Sequence, residues 1–247
     1  MITEEPSTTN TQVLILAGGL GTRLRSVVQD LPKPMAKIAK KPFLEYLLQY
    51  LKLQGFLNVT ILTGYRSELI QNYFLDGKKI GMNITYSKED SPLGTGGAIA
   101  LAMKSYPKSN YLILNGDTFF SMNLAQFLKH SKTPVSIALR YVEDTSRYGR
   151  VKLDQNKKIV KFVEKNSDHF PGLINAGIYF INPEAIKYFP DENQFSIEKD
   201  VFEKLAQNNL IYGLQSVGNF IDIGIPESYF EAQSLIPSWI QEYAKKL

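Results

Sequence analysis

Gly18, Gly19 and Gly21, followed by Arg23 and Lys33, stand in one stretch, GGLGTRLRSVVQDLPKPM, directly after the apolar run VLILA. Glycines have no side chain, so the backbone there can approach phosphate oxygens and turn its N–H groups toward them. Arg23 and Lys33 add two cations to the same region, and Pro32 and Pro34 restrict the backbone around Lys33. That combination suits a polyphosphate. Two acids fit the same chemistry. Asp117 follows an apolar run in YLILNGD, with Gly116 making room beside it, and Asp222 lies between Ile221 and Ile223 in FIDIGIP. A carboxylate at such a place can hold Mg²⁺, which takes few protein ligands and otherwise binds phosphates and water. The competing readings are a tight turn with solvated bases for the loop, and a helix cap or turn former for each acid.

Two familiar phosphate-binding arrangements do not fit. The loop lacks the Gly-Lys-Ser/Thr ending of a P-loop. A dinucleotide fold needs an acid at the end of its second strand, but NVTILT ends in Thr63-Gly64-Tyr65. The first glycines also lead into a long basic loop rather than a helix.

The elements that must position these residues follow from hydrophobic patterning. Strands are expected at 12–17, 57–63, 82–86 and 110–115, and helices at 43–54, 67–75, 95–104 and 123–130. Alternation of this kind implies a parallel sheet covered on both faces, with ligands at the carboxyl ends of strands. The glycine loop and Asn115-Gly116-Asp117 both fall at such ends. After residue 134, VSIALRYV, GRVKLD, KIVKFVEK and LINAGIYFI read as strands with shorter connections that extend the sheet and build a lobe. A helix is expected from Ser196, with Ser196 as its cap. The tail ESYFEAQSLIPSWIQEYAKKL reads as helical and broken at Pro237. Trp239 and Tyr243 in it suit packing on its own core or on a second subunit, so homo-oligomerisation stays open.

The stretch 18–35, together with SPLGTGGAIA, LNGDTFF, RYG, FVEK, INAGIY and FIDIGIP, resembles the sugar-1-phosphate nucleotidyltransferases, in order, over residues 12 to 232. The resemblance implies an α/β fold of nucleotide-diphospho-sugar transferase type: a Rossmann-like mixed, mainly parallel sheet flanked by helices, with a small sugar-binding lobe. On that basis residues 1–10 form a flexible tail and 11–247 a single nucleotidyltransferase domain. Within it, 11–133 is the nucleotide-binding half, 134–235 the sugar-binding half and 236–247 a helical tail.

The implied reaction is transfer of a nucleotidyl group to a sugar 1-phosphate, with Mg²⁺ as cofactor. Arg23, Lys33, Asp117 and Lys165 are the implied catalytic residues. Leu16, Ala17, Gly18, Gly19, Gly21, Thr22, Arg23, Glu89, Gly94 and Thr95 bind the nucleotide. Gly149, Glu164, Lys165 and Asn175 bind the sugar phosphate, and Asp117 and Asp222 hold the metal. By itself Glu164-Lys165 reads as surface charge; its place in the family pattern makes it the sugar-site pair.

Relatives that use uridine or thymidine nucleotides carry Gln where this chain has Glu89. A carboxylate only accepts, so it can take both the N1–H and the 2-amino group of guanine. The bland alternative is a solvated acid among Lys88, Glu89 and Asp90. The resemblance therefore implies GTP and D-glycero-D-manno-heptose 1-phosphate as substrates, with mannose 1-phosphate guanylyl transfer or uridylyl and thymidylyl transfer as alternatives. A non-catalytic regulatory subunit that binds a sugar nucleotide is a further alternative.

Composition agrees with a globular enzyme. The chain has 247 residues, is 44% apolar, and carries fourteen Tyr and fourteen Phe, enough for a sizeable core. A net charge of +4 with no dense basic stripe argues against nucleic acid as a partner. Cysteine is absent, which excludes disulfides and is compatible with a reducing cytoplasm. No apolar run approaches the ~18 residues of a membrane span, and MITEEPSTTN lacks the features of a signal peptide. A cytoplasmic location with no membrane partner is the expectation. His130 and His169 need no role, because a phosphate monoester is already an anionic nucleophile.

Overall fold

The computed structural model describes residues 10–19, 21, 24, 27–107, 109–132, 134–163 and 169–245. Most of the expected 1–10 tail lies outside that range, as do Thr22, Arg23, Glu164 and Lys165. In chain order the elements are β1 (Thr11–Leu16), β2 (Lys37–Ile38), β3 (Lys41–Pro42), α1 (Phe43–Leu53), β4 (Asn58–Thr63), α2 (Ser67–Phe74), β5 (Asn83–Lys88) and α3 (Gly94–Met103). They continue with β6 (Asn110–Asn115), β7 (Thr118–Phe120), α4 (Leu124–His130), β8 (Val135–Val142), β9 (Arg150–Leu153), β10 (Ile159–Val163) and β11 (Gly172–Ile181). The last are α5 (Glu203–Gln207), β12 (Ile211–Gln215), β13 (Phe220–Asp222) and α6 (Pro226–Ala244). The expected strands and helices of the first half are present with their ends shifted by one or two residues.

Seven strands form the main sheet, in the order β12-β8-β11-β6-β1-β4-β5. β1 runs parallel to β4, β4 to β5 and β12 to β8, whereas β11 is antiparallel to β8. The sheet is thus mixed and mainly parallel, as expected. β1 buries Val13, Leu14 and Ile15 in succession, and β6 buries Tyr111 through Leu114. Unbroken burial of this kind marks strands covered on both faces, which is why they read as apolar runs rather than alternating ones.

The chain divides into two compact units, and their boundaries cross the expected division at residue 133. One contains Leu93–Ile113 and Met122–Val217; the other contains Val13–Pro92, Leu114–Ser121 and Gly218–Leu247. Each unit is discontinuous in sequence, because a sheet collects its strands by proximity rather than by chain order.

In the unit that carries the glycine loop, α1 and α6 build one aromatic core. Tyr50 stands with its ring 5.2 Å from Phe119 and 5.3 Å from Tyr243, and Phe119 stacks on Trp239 at 6.1 Å. The tail therefore packs on its own unit. The expected break at Pro237 is absent: α6 continues through it. Proline removes one backbone hydrogen bond and costs about 3 kcal/mol in a helix interior. Ala232, Ile236 and Ile240 bury both halves of the helix on the same core. The Gln233 side chain also ties it to the β2–β3 turn, accepting from Ala39 N at 2.8 Å and donating to Lys37 O at 3.0 Å. Packing outweighs the local signal here.

In the other unit, Ser196 caps a helix as expected, its hydroxyl accepting from Lys199 N. The first turns, Ile197–Phe202, are π-helical before α5 continues. The carboxylate that closes the cap is Asp200, four residues on, accepting from Ser196 N at 2.7 Å; the usual reciprocal cap uses the third.

Candidate active site

The glycine loop begins where β1 ends. Gly116, after β6, donates its N–H to Leu16 O at 2.9 Å, and a Cβ on Gly116 would collide with that carbonyl. Only glycine lets the two strand ends come this close, and the approach brings Asp117 beside the loop. Gly21, at φ 57°, folds the loop back so that a Cβ there would lie 3.0 Å from Cβ of Lys33. Lys33 starts a 3₁₀ turn, Lys33–Met35, after the extended Pro32. Its side chain is almost fully buried and its Nζ pairs with Asp117 Oδ2 at 2.5 Å.

Asp222 arrives from far along the chain. β13 pairs antiparallel with β7, which sets Asp222 opposite Thr118. The Thr118 hydroxyl stands 3.2 Å from Asp117 Oδ1 and 3.4 Å from Asp222 Oδ2, and its single proton serves one of them at a time. Gly224 N donates to Asp222 Oδ1 at 2.6 Å. A Cβ on Gly224 would press on that oxygen and lie 3.1 Å from Lys33 Nζ. Lys33, Asp117, Thr118 and Asp222 thus form one polar cluster beside the glycine loop.

Glu89 follows β5 in the same unit. Its N–H donates to Thr63 O at 2.9 Å, and its Oε1 lies against the backbones of Gly18 and Gly64. The adjacent loop is tied in by Ala17 N to Leu62 O at 2.8 Å and by Tyr65 N to Gly18 O at 3.4 Å.

The remaining described residues that the family resemblance implies belong to the other unit. Gly94, at φ 72°, packs on the Phe195 carbonyl. Thr95 Oγ1 donates to Glu198 Oε2 at 2.8 Å and accepts from Ile197 N at 2.9 Å, so its hydroxyl anchors the Phe195–Glu198 segment. Gly149, at φ 73°, closes a turn on Thr145 O, and the Thr145 N–H and hydroxyl both donate to Phe170 O. Asn175 occupies an irregular stretch of β11, accepting from Gly177 N at 2.9 Å and donating to the Tyr179 hydroxyl at 3.2 Å.

A family model described as nucleotidyl transferase matches residues 12–238. The chain belongs to this family. It is 42% identical over 222 residues to a D-glycero-alpha-D-manno-heptose 1-phosphate guanylyltransferase of Campylobacter jejuni, covering 89% of this chain and 97% of the relative. A protein of the same description from Aneurinibacillus thermoaerophilus is 42% identical, covering 93% of this chain and all of the relative. The mannose-1-phosphate guanylyltransferase of Mycobacterium tuberculosis is 33% identical over 90% of this chain and 64% of its own length. Among solved structures, HddC from Yersinia pseudotuberculosis complexed with GMP-PN superposes with a TM-score of 0.81 at 36% identity, covering 90% and 98% of the two chains. The structure of a putative glucose-1-phosphate thymidylyltransferase from Bacillus anthracis shares the fold with a TM-score of 0.80 at 22% identity, over 92% and 95% of the two chains.

In this nucleotidyltransferase the fit of a divalent cation rests on the two carboxylates linked through Thr118. Among the described residues no group of three or more His, Cys, Asp or Glu is gathered as a metal cage. Two acids with further oxygens from phosphate and water are the donor set that Mg²⁺ takes. Among the described residues no helix is long and apolar enough to cross a membrane. Sequence reasoning did not single out Thr118 or Gly64. Thr118 follows Asp117 in LNGDTFF without any pattern of its own; for Gly64 the signal was a glycine directly after an apolar strand run.

Proposed function

We propose that this chain is a guanylyltransferase that joins GTP and D-glycero-D-manno-heptose 1-phosphate to give the GDP-sugar and pyrophosphate. The observation that carries the reading is the Lys33–Asp117–Thr118–Asp222 cluster beside a glycine loop, in a chain 42% identical to two guanylyltransferases of that description. A phosphate oxygen of the sugar 1-phosphate attacks the α-phosphorus of GTP, a new P–O bond forms, and the bond to the β-phosphate oxygen breaks. The oxygen is already anionic, so no general base is needed. Holding the two reactants in line contributes on the order of 7–11 kcal/mol.

The glycine loop at Gly18, Gly19 and Gly21 presents backbone N–H groups to the triphosphate, and Thr22 and Arg23, next in the sequence, are assigned to the same phosphates by the family resemblance. Lys33 neutralises charge that builds on the phosphates, and its pairing with Asp117 keeps the ammonium aimed there. Asp117 and Asp222 would hold Mg²⁺, which would then offset the charge of the transferring phosphate. Glu89 reads guanine, with the backbone at Leu16 and Ala17 in the same unit beside it, and Gly94 and Thr95 count as nucleotide-binding residues through the family resemblance. Gly149, Glu164, Lys165 and Asn175 receive the sugar phosphate. The enzyme acts in the cytoplasm, where nucleoside triphosphates are made.

Mannose 1-phosphate transfer is the second reading, supported by the 33% identical relative from Mycobacterium tuberculosis. The test is pyrophosphate release with Mg²⁺, crossing GTP, ATP, CTP, UTP and dTTP against heptose, mannose and glucose 1-phosphates. Release with GTP and the manno-heptose phosphate alone is expected. Release with mannose 1-phosphate alone transfers the assignment to the second reading, and a Glu89→Gln variant that keeps its full preference for GTP over UTP removes Glu89 from base recognition.

A further inference from the structure

Gly64 directly follows β4 in the stretch Thr63-Gly64-Tyr65, and its backbone lies outside the left-handed region. Conformation alone therefore does not demand glycine there. Its packing does. A Cβ on Gly64 would overlap Oε1 of Glu89 and lie 3.0 Å from both Cδ and Cγ of that side chain. A Cβ on Gly18 would lie 2.8 Å from the same oxygen and 3.2 Å from the Gly64 nitrogen. The carboxylate therefore rests in a slot floored by two glycine backbones. Gly18, Gly64 and Glu89 follow β1, β4 and β5, which are neighbours in the sheet, so the slot lies along its carboxyl edge. A hydrogen bond of Gly64, its carbonyl accepting from Ser67 N at 3.2 Å, would survive an alanine.

We infer that Gly64 is a positioning residue for base choice. Its missing side chain lets the Glu89 carboxylate lie across the end of β4, where both oxygens can take guanine hydrogens together. The inference rests on the reading of Glu89 as the guanine-reading group. A bidentate pair needs both acceptors within hydrogen-bond distance at once, so a shift of a few tenths of an ångström at one oxygen weakens one bond first. The bond to the 2-amino group separates GTP from ITP, which lacks only that group.

The experiment measures kcat/KM with GTP and with ITP for the wild type, Gly64→Ala, Glu89→Ala and the double variant. The wild type is expected to prefer GTP, and Gly64→Ala to lose about 10-fold or more of that preference, chiefly through KM. That is the size of one hydrogen bond to a charged group. The double variant should be no worse than Glu89→Ala, since removing the carboxylate removes the collision. Preference intact in Gly64→Ala but lost in Glu89→Ala overturns the role of Gly64 and leaves the reading of Glu89 standing. Preference intact in Glu89→Ala overturns both. An equal loss with GTP and ITP that persists in the double variant makes Gly64 merely structural, and also overturns the inference. If Gly64→Ala folds poorly, the melting temperature decides: recovery in the double variant is expected, and no recovery places the damage elsewhere.

Discussion

Two acid–base pairs of nearly equal length sit in different regions of this molecule. Lys33–Asp117 closes at 2.5 Å with its side chains 10% and 31% exposed, whereas His169–Asp144 closes at 2.7 Å with 75% and 47% exposed. Distance does not separate them; surroundings do. The first pair is held by a buried 3₁₀ turn, a glycine contact between strand ends and the Thr118 hydroxyl. The second joins two surface segments, and water competes for both partners. An exposed pair gains little, because solvent screens it and ordering the side chains costs entropy. A pair with little water around it acts strongly on whatever charge enters beside it. Short ion pairs are thus not equally informative about function, and burial is the better guide.

The largest effect that bears on this contrast is expected from Lys33→Met, which removes the buried ammonium but keeps most of the length of the side chain. Turnover should fall about 10²–10³-fold, the usual effect of losing one electrostatic stabiliser in an active site. Pyrophosphate release at saturating substrates checks it, and a rate within a few-fold of wild type would erase the distinction between the pairs. Next in size is Thr118→Val, which leaves both carboxylates but cuts the hydroxyl that links them. The Mg²⁺ concentration for half-maximal rate should rise about 10-fold, in the range seen when groups that orient metal ligands are removed; a metal titration reads it.

The smallest effect is expected at the exposed pair. Asp144→Asn should leave activity unchanged and lower the melting temperature at pH 7 only slightly. The Asp144 carboxyl is held down to about 2, first by the Ser146 backbone N–H and then by His169. A depressed carboxyl stabilises the fold above its ordinary range and loses that contribution as pH falls through about 2. Any difference between Asp144→Asn and wild type should therefore be present near neutrality and shrink in acid. Melting curves between pH 7 and pH 2 that diverge on acidification would contradict this sign.

Much of the molecule was legible in the chain. The buried strands β1, β4 and β6 announced themselves as apolar runs, and Gly18, Gly116 and Asp117 marked where those runs end. Ser196 was legible as a cap because capping is local. Pro237 misled, since the local rule for proline is real but the apolar face of α6 outweighs it. Thr118 was hidden because threonine after an acid carries no special pattern. Its importance comes from a register with Asp222 at a sequence separation of 104.

By itself the sequence determined the strand–helix alternation and marked the glycine loop, with the cations and acids around it, as a candidate phosphate site, because each rests on neighbours in the chain or on a pattern of residue types. Only the tertiary structure decided that Lys33 meets Asp117 across a separation of 84, that Thr118 stands between Asp117 and Asp222, and that the Glu89 carboxylate lies where a Cβ on Gly64 would stand. The physical reason is that a glycine or a threonine in a sequence does not reveal what will be packed against it. The sheet supplies that partner by bringing distant strand ends to one edge.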